Sequence, residues 1–206
     1  MNHTDDPYAL TLETLEERAK KCTQCSLSET RMHVVFGEGN TQADLMFIGE
    51  GPGEVEDSTG HPFVGPAGHK LDDVLASVGI SRAEIYITNV VKCRPPGNRV
   101  PAKKEKEACG PYLEAQIALV NPKLIITLGN TPTQWLLPGA GGITQSHGTF
   151  MPWRGGIEIV PMFHPSYLLR NPSRSKGSPK YLTWMDIKKV REWLDDHGRN
   201  ASTDGL

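Results

Sequence analysis

Four short apolar runs divide the chain, at residues 43–48, 85–88, 124–128 and 157–162, each rich in Ile, Val, Leu or Phe. They are spaced widely enough for crossovers, and such runs predict buried strands of a parallel sheet. Between them the apolar residues change to a helical spacing over 71–78, 103–120 and 130–137, the last with Thr131-Pro132 at its start. An earlier helix is predicted over 10–21 from Leu12, Leu15 and Ala19, ending in basic residues that suit a helix C-terminus. A last one opens with Ser178 as cap and Pro179 in its first turn, with Leu182, Met185, Val190, Trp193 and Leu194 on one face. Strands alternating with helices predict an α/β fold, a three-layer α/β/α sandwich around a central four-stranded parallel sheet. Residues 10–196 are expected to form one domain, with flexible ends at 1–9 and 197–206.

Directly after the four runs come Gly49-Glu50-Gly51-Pro52-Gly53, then Asn89, then Gly129-Asn130, then His164-Pro165-Ser166. Open parallel sheets bind ligands outside the carboxyl ends of their strands, so these signals are expected to converge on one crevice.

Composition narrows the class. With 206 residues, 37% hydrophobic and 22% charged, the chain reads as one soluble globular domain. No apolar stretch approaches the roughly 20 residues of a membrane span, and the first residues lack a secretion signal, so an intracellular (cytoplasmic) monomer with no membrane partner is expected. The net charge of −2 is segregated: residues 1–17 carry five acids and no Lys or Arg. Residues 89–106 hold Lys92, Arg94, Arg99, Lys103, Lys104 and Lys106 against Glu105 alone, and 164–180 hold four bases and no acid. Both basic segments come after a strand end, where they can hold phosphates.

All four cysteines fall in one pattern, Cys22-x2-Cys25, 67 residues, Cys93, 15 residues, Cys109. The two-residue gap is a ligand spacing, and the distant pair would tie the amino-terminal segment to the sheet. Free thiols or two disulfides are the alternatives, and a reducing compartment disfavours the latter. Zinc and a [4Fe-4S] cluster both accept four thiolates. Pro95 and Pro96 after Cys93, with no His nearby, favour iron-sulfur.

The glycine-rich turn lacks the Gly-Lys-Ser/Thr of a phosphate loop and the spacing of a dinucleotide fingerprint. It offers bare backbone N–H groups instead. Taken singly, Phe63 is a core residue, Asn89 a turn residue and His164 a loop histidine. Together, a flat aromatic, a two-faced amide and an imidazole are what reading and expelling a planar base requires.

These residues resemble the iron-sulfur uracil-DNA glycosylases, family 4 of the uracil-DNA glycosylase superfamily. The matching motifs are Gly49 to Gly53, His61-Pro62-Phe63-Val64-Gly65, the stretch from Thr88-Asn89 through Cys93-Arg94-Pro95-Pro96, and the stretch from His164-Pro165-Ser166 through Arg174, with the four cysteines. The resemblance spans about residues 10–196. Covalently trapping relatives carry a nucleophilic His after the second strand, and none lies between His69 and His147 here.

The resemblance implies hydrolysis of the N-glycosidic bond of deoxyuridine in single- or double-stranded DNA. It implies a uracil site of Gly49, Glu50, Gly51, Phe63, Asn89 and His164: Phe63 stacks on the ring, Asn89 pairs with N3–H and O4, and His164 with the Gly51 N–H faces O2. Glu50 is the candidate for positioning water, because Gly51 and Gly53 stand where better-known relatives have Asp and Tyr. Glu54 or Glu56 would exclude thymine. Leu168 or Leu169 would fill the gap left by the flipped base, and Arg170, Arg174 and Lys176 would hold phosphates. Cys22, Cys25, Cys93 and Cys109 would carry a structural [4Fe-4S] cluster. The rival readings are a non-catalytic nucleic-acid-binding module, a glycosylase of the same fold acting on hypoxanthine or mismatched thymine, and a nucleotide hydrolase.

Overall fold

The computed structural model describes residues 10–198. The chain runs α1 (Leu12–Lys20), β1 (Glu38–Gly39), β2 (Leu45–Gly49), α2 (Glu54–Thr59), α3 (Pro66–Ala76), β3 (Ile85–Asn89) and α4 (Lys103–Val120). It continues with β4 (Leu124–Leu128), α5 (Asn130–Leu136), α6 (Ile143–Ser146), β5 (Met151–Pro152), β6 (Glu158–Met162), α7 (Pro165–Arg170) and α8 (Pro179–His197).

One sheet holds six strands in the order β1-β3-β2-β4-β6-β5. The inner four are parallel and correspond to the four apolar runs. The expected four-stranded sheet is therefore extended by two antiparallel edge strands of two residues each. Neither is long enough to show a period of two, and Pro152 sits where only an edge tolerates it.

Alternation along the inner strands splits the core in two, as burial on both faces requires. Leu45, Phe47, Ile85, Ile87, Ile126 and Val160 face Leu71 and Leu75 of α3 and Ile187 and Val190 of α8. Met46, Ile48, Tyr86, Ile125 and Ile159 face Leu113, Ile117 and Val120 of α4 and Leu136 of α5. The three-layer sandwich results from that division. No helix among the described residues is long and apolar enough to cross a membrane.

Two helices differ from expectation. The first after β2 forms separately as the short α2, and α3 starts at Pro66 rather than 71, with proline pre-set in its first turn. In α8 the Ser178 cap holds, but the buried face is Thr183, Asp186, Ile187 and Val190, while Met185 is exposed. Hydropathy misplaces this face because two of its members are polar. Thr183 Oγ1 donates to the Pro179 carbonyl at 2.8 Å, and Asp186 Oδ2 lies 2.7 Å from His147 Nδ1. The expected tail boundary at 197 is one residue inside the helix, and residues 1–9 and 199–206 lie outside the described residues.

Candidate active site

Three of the four strand-end signals converge on one crevice of about 530 Å³, lined by Glu50, Gly51, Phe63, Asn89, His164, Leu169 and Arg170 among others, whereas Gly129 and Asn130 do not line it: Gly129 lies beside His164, and Asn130 Oδ1 accepts from the Ile143 backbone N–H at 2.9 Å. The parallel register brings them together: β2 pairs with β3 from Leu45 opposite Ile85 to Gly49 opposite Asn89, and Leu128 lies opposite Met162 on the other side.

Asn89 is 2% exposed, and its Oδ1 has no hydrogen-bond partner among the described residues. A buried acceptor left unmatched costs about 1–3 kcal/mol, so it marks a place where a ligand donor belongs. A Cβ at Gly49 would lie 2.4 Å from that oxygen and 2.5 Å from Phe63 Cζ. Glycine at 49 thus keeps open a slot bounded by the amide and the aromatic edge.

Phe63 is held in a left-handed conformation, φ 53°, which non-glycine residues rarely adopt. The surroundings over-determine it. Arg82 donates to the carbonyls of Phe63 (2.9 Å) and Pro62 (2.5 Å), and pairs with Asp72 at 3.0 Å. Glu56 Oε1 accepts from the backbone N–H groups of Val64 (3.1 Å) and Gly65 (2.8 Å), and its Oε2 from Gly53 (3.1 Å). Gly68 allows the close approach, since a Cβ there would meet the Phe63 carbonyl at 1.8 Å.

His164 lies two residues past the end of β6 and caps α7. Its Nδ1 accepts from the Ser166 backbone N–H at 3.2 Å and lies 2.8 Å from Ser166 Oγ. A backbone amide only donates, so the neutral ring carries its proton on Nε2. Burial, reinforced by Arg170 and opposed by Glu56, pushes its pKa down to about 4. The ring is therefore a neutral N–H donor at ordinary pH, with its centroid 6.2 Å from that of Phe63. Behind it, Phe163 packs against His147 (4.8 Å between centroids) and Tyr167 (5.6 Å).

Glu50 accepts a hydrogen bond from Thr131 Oγ1 of α5, which fixes its carboxylate at the crevice wall. Lys92, 1% exposed, donates from Nζ to Thr88 Oγ1 and to the Asn89 carbonyl, both at 2.6 Å. Burial lowers its pKa to about 7. It braces the strand end that carries the amide.

On the α4 side of the sheet, Cys22, Cys25, Cys93 and Cys109 line one small cavity with Arg31, Lys92 and Tyr112. All four are free thiols, so the disulfide alternative does not hold. Among the described residues no group of three or more His, Cys, Asp or Glu forms a metal site as it stands. The donor chemistry nevertheless fits one. The Lys92 backbone N–H points to Cys109 Sγ at 3.3 Å and Arg31 to Cys93 Sγ at 3.4 Å, the N–H···S contacts that orient thiolate ligands.

A family model described as the uracil DNA glycosylase superfamily matches residues 36–188, from before β1 into α8. The chain belongs to the uracil-DNA glycosylase superfamily. It is 46% identical over 188 residues to a type-4 uracil-DNA glycosylase of Thermotoga maritima, covering 91% of this chain and 96% of that one. Type-4 uracil-DNA glycosylases of Sulfurisphaera tokodaii and Saccharolobus solfataricus are each 41% identical, covering 88% and 89% of this chain and 84% and 86% of theirs.

Not every residue expected at the site of this superfamily member lies there. Leu168 is 2% exposed and faces away from the crevice toward α3 and α8, so it is a core residue and not a wedge. Leu169, 43% exposed, lines the crevice beside Arg170. Arg174 lines a different groove, and the exposed Lys176 lines neither. Of the basic segment after β3, Lys92 is buried and Arg99 is held by Glu105 through bonds of 2.8 and 2.7 Å, so neither is free for a phosphate. Glu56 is committed to the Phe63 loop, whereas Glu54 stays exposed at the crevice rim, 3.8 Å from Arg94.

Sequence pattern alone assigned no site role to Thr131, Ser166 or Arg82, and gave Lys92 a phosphate to hold where it braces the Asn89 carbonyl instead. Ser166 lay inside a quoted motif. Thr131 and Glu50 are 81 positions apart, and only sheet order brings them together.

Proposed function

We propose that this crevice receives deoxyuridine flipped out of DNA and hydrolyses its N-glycosidic bond, releasing uracil and leaving an abasic site for base-excision repair. The unmatched Asn89 Oδ1 beside Phe63 carries the reading. Uracil N3–H donates to that oxygen, the Asn89 amide nitrogen donates to O4, and Phe63 stacks on the ring. Cytosine has an amine in place of O4 and no N3–H, so it leaves both faces of the amide mismatched. An unmatched amide oxygen suits the reading of one base held out of the stack, which a module gripping only the backbone does not need.

As the C1′–N1 bond breaks, its electron pair passes into the base and accumulates on O2. The neutral His164 Nε2–H and the Gly51 backbone N–H donate there, and donors placed where charge develops act chiefly on the transition state. Glu50, oriented by Thr131, holds the water that adds to C1′ and accepts its proton. Leu169 fills the space left in the stack and Arg170 takes a flanking phosphate.

Cys22, Cys25, Cys93 and Cys109 would hold a [4Fe-4S] cluster. Bound there, it supplies iron–thiolate bonds that tie the segment after α1 to the end of β3 and to α4. Protein purified anaerobically is expected to be brown and to carry about four irons and four sulfides per chain. Colourless protein with one zinc would overturn the iron-sulfur assignment.

The reaction is tested with oligonucleotides bearing one uracil, cytosine, thymine or hypoxanthine, with subsequent alkaline cleavage of abasic sites. Cutting at uracil alone supports the reading. Cutting at hypoxanthine or thymine and not at uracil would replace it, and no cutting by protein with its metal bound would leave a binding module.

Gly49→Ala tests the slot. The added Cβ displaces Asn89 or Phe63, and misplacement of this size costs on the order of 10²-fold in rate. Uracil release at the wild-type rate would show that the slot is not where the base sits.

A further inference from the structure

A second groove, of about 350 Å³, lies between α3, α7 and α8. Val74 and the buried Leu168 contribute its apolar part, and Tyr181 and Trp184 line it from α8. Their ring centroids are 6.1 Å apart, and Trp184 is 43% exposed with Lys188 Nζ 4.8 Å from its ring centroid. Lys70, Arg174 and Lys180 supply three positive charges. The one acid in the lining, Asp73, is already bonded to Lys70. Arg174 and Lys180 form no salt bridge among the described residues.

A single exposed tryptophan needs no explanation. An aromatic pair of exposed Trp184 and half-buried Tyr181, with cations outnumbering the one acid, is different, since it is the composition of a track for single-stranded nucleic acid. The groove lies on the other side of α7 from the crevice, and that helix contributes to both. The helix α7 gives Ser166, Leu169 and Arg170 to the crevice and Leu168 to the groove. The basic loop after α7 then carries Arg174 into the groove.

We propose that this groove takes an unpaired nucleotide of the same DNA strand that enters the crevice, with its base stacked on Trp184 and its phosphates on Arg174 and Lys180. The inference rests on the reading of the crevice as a DNA site. The shared helix α7 and the positive charge favour a nucleic-acid strand over a peptide. A base paired in a duplex must first be unpaired and unstacked to reach Trp184, which costs free energy, so substrate with a single-stranded flank binds more tightly than fully paired substrate of the same length.

The test compares affinities of metal-loaded protein for two uracil oligonucleotides, one just long enough to fill the crevice and one extended by single-stranded nucleotides on both sides. The ratio of long to short affinity is the readout. Trp184→Ala is expected to lower that ratio about 5-fold or more, and Trp184→Phe to restore most of it, because stacking on an aromatic tolerates the change of ring. Arg174→Ala is expected to lower the ratio and flatten the salt dependence of long-strand binding by about one charge. An unchanged ratio in Trp184→Ala overturns the inference. Uracil release from the short oligonucleotide by the wild type is scored separately, and its absence would sink the crevice reading itself.

Discussion

Replacing His164 with alanine is expected to slow single-turnover uracil release by about 10²- to 10³-fold, the usual cost of one donor to a developing oxyanion. The effect should fall on the chemical step, with DNA affinity nearly retained, because the N–H is used most when charge reaches O2. The same geometry fixes a pH dependence. Nδ1 is occupied by the Ser166 N–H, and burial holds the ring pKa near 4, so His164 stays a neutral donor well below its ordinary range. The rate is expected to show no titration near pH 6.5, and any loss due to this group to come only as pH approaches about 4. A rate rising or falling around pH 6.5 and absent in His164→Ala would contradict the neutral assignment. Stability runs in the matching direction. The folded pKa lies below the unfolded one, so the contribution is complete above about pH 6.5 and is lost as pH falls toward 4.

The second large effect is expected at Asn89. Asn89→Ala removes both halves of the base reading and should lower kcat/KM on uracil by roughly 10⁴, the scale on which sites built around substrate hydrogen bonds reject a partner that cannot make them. Discrimination should collapse with it, since no amide remains to distinguish O4 from an amine. The fold should tolerate the change, because the side-chain oxygen has no partner among the described residues to lose. A variant that kept both its rate and its preference for uracil would show that the base is read elsewhere.

The inner sheet was legible in the sequence because strands buried on both faces run as nearly continuous apolar stretches. The crevice was legible for the same reason: parallel topology gathers the residues just past the carboxyl ends of such strands on one side of the sheet. The edge strands were not, since Glu38–Gly39 and Met151–Pro152 are too short to carry a pattern. Nor was the phase of α8, where Thr183 and Asp186 are buried by virtue of their hydrogen bonds. The choice between Leu168 and Leu169 depended on the rotation of a six-residue helix, which two adjacent leucines cannot reveal. The strain at Phe63 was also hidden, because Arg82, Glu56 and Gly68 reach it from three separate places in the chain.

That one crevice reads uracil with Asn89 and expels it with His164 is tested most directly by free uracil released in a single turnover. The wild type, Asn89→Ala and His164→Ala, all purified anaerobically, are compared on one oligonucleotide. Stoichiometric uracil is expected from the wild type, with losses of at least about 10²-fold in each variant. Equal release by all three would contradict both roles.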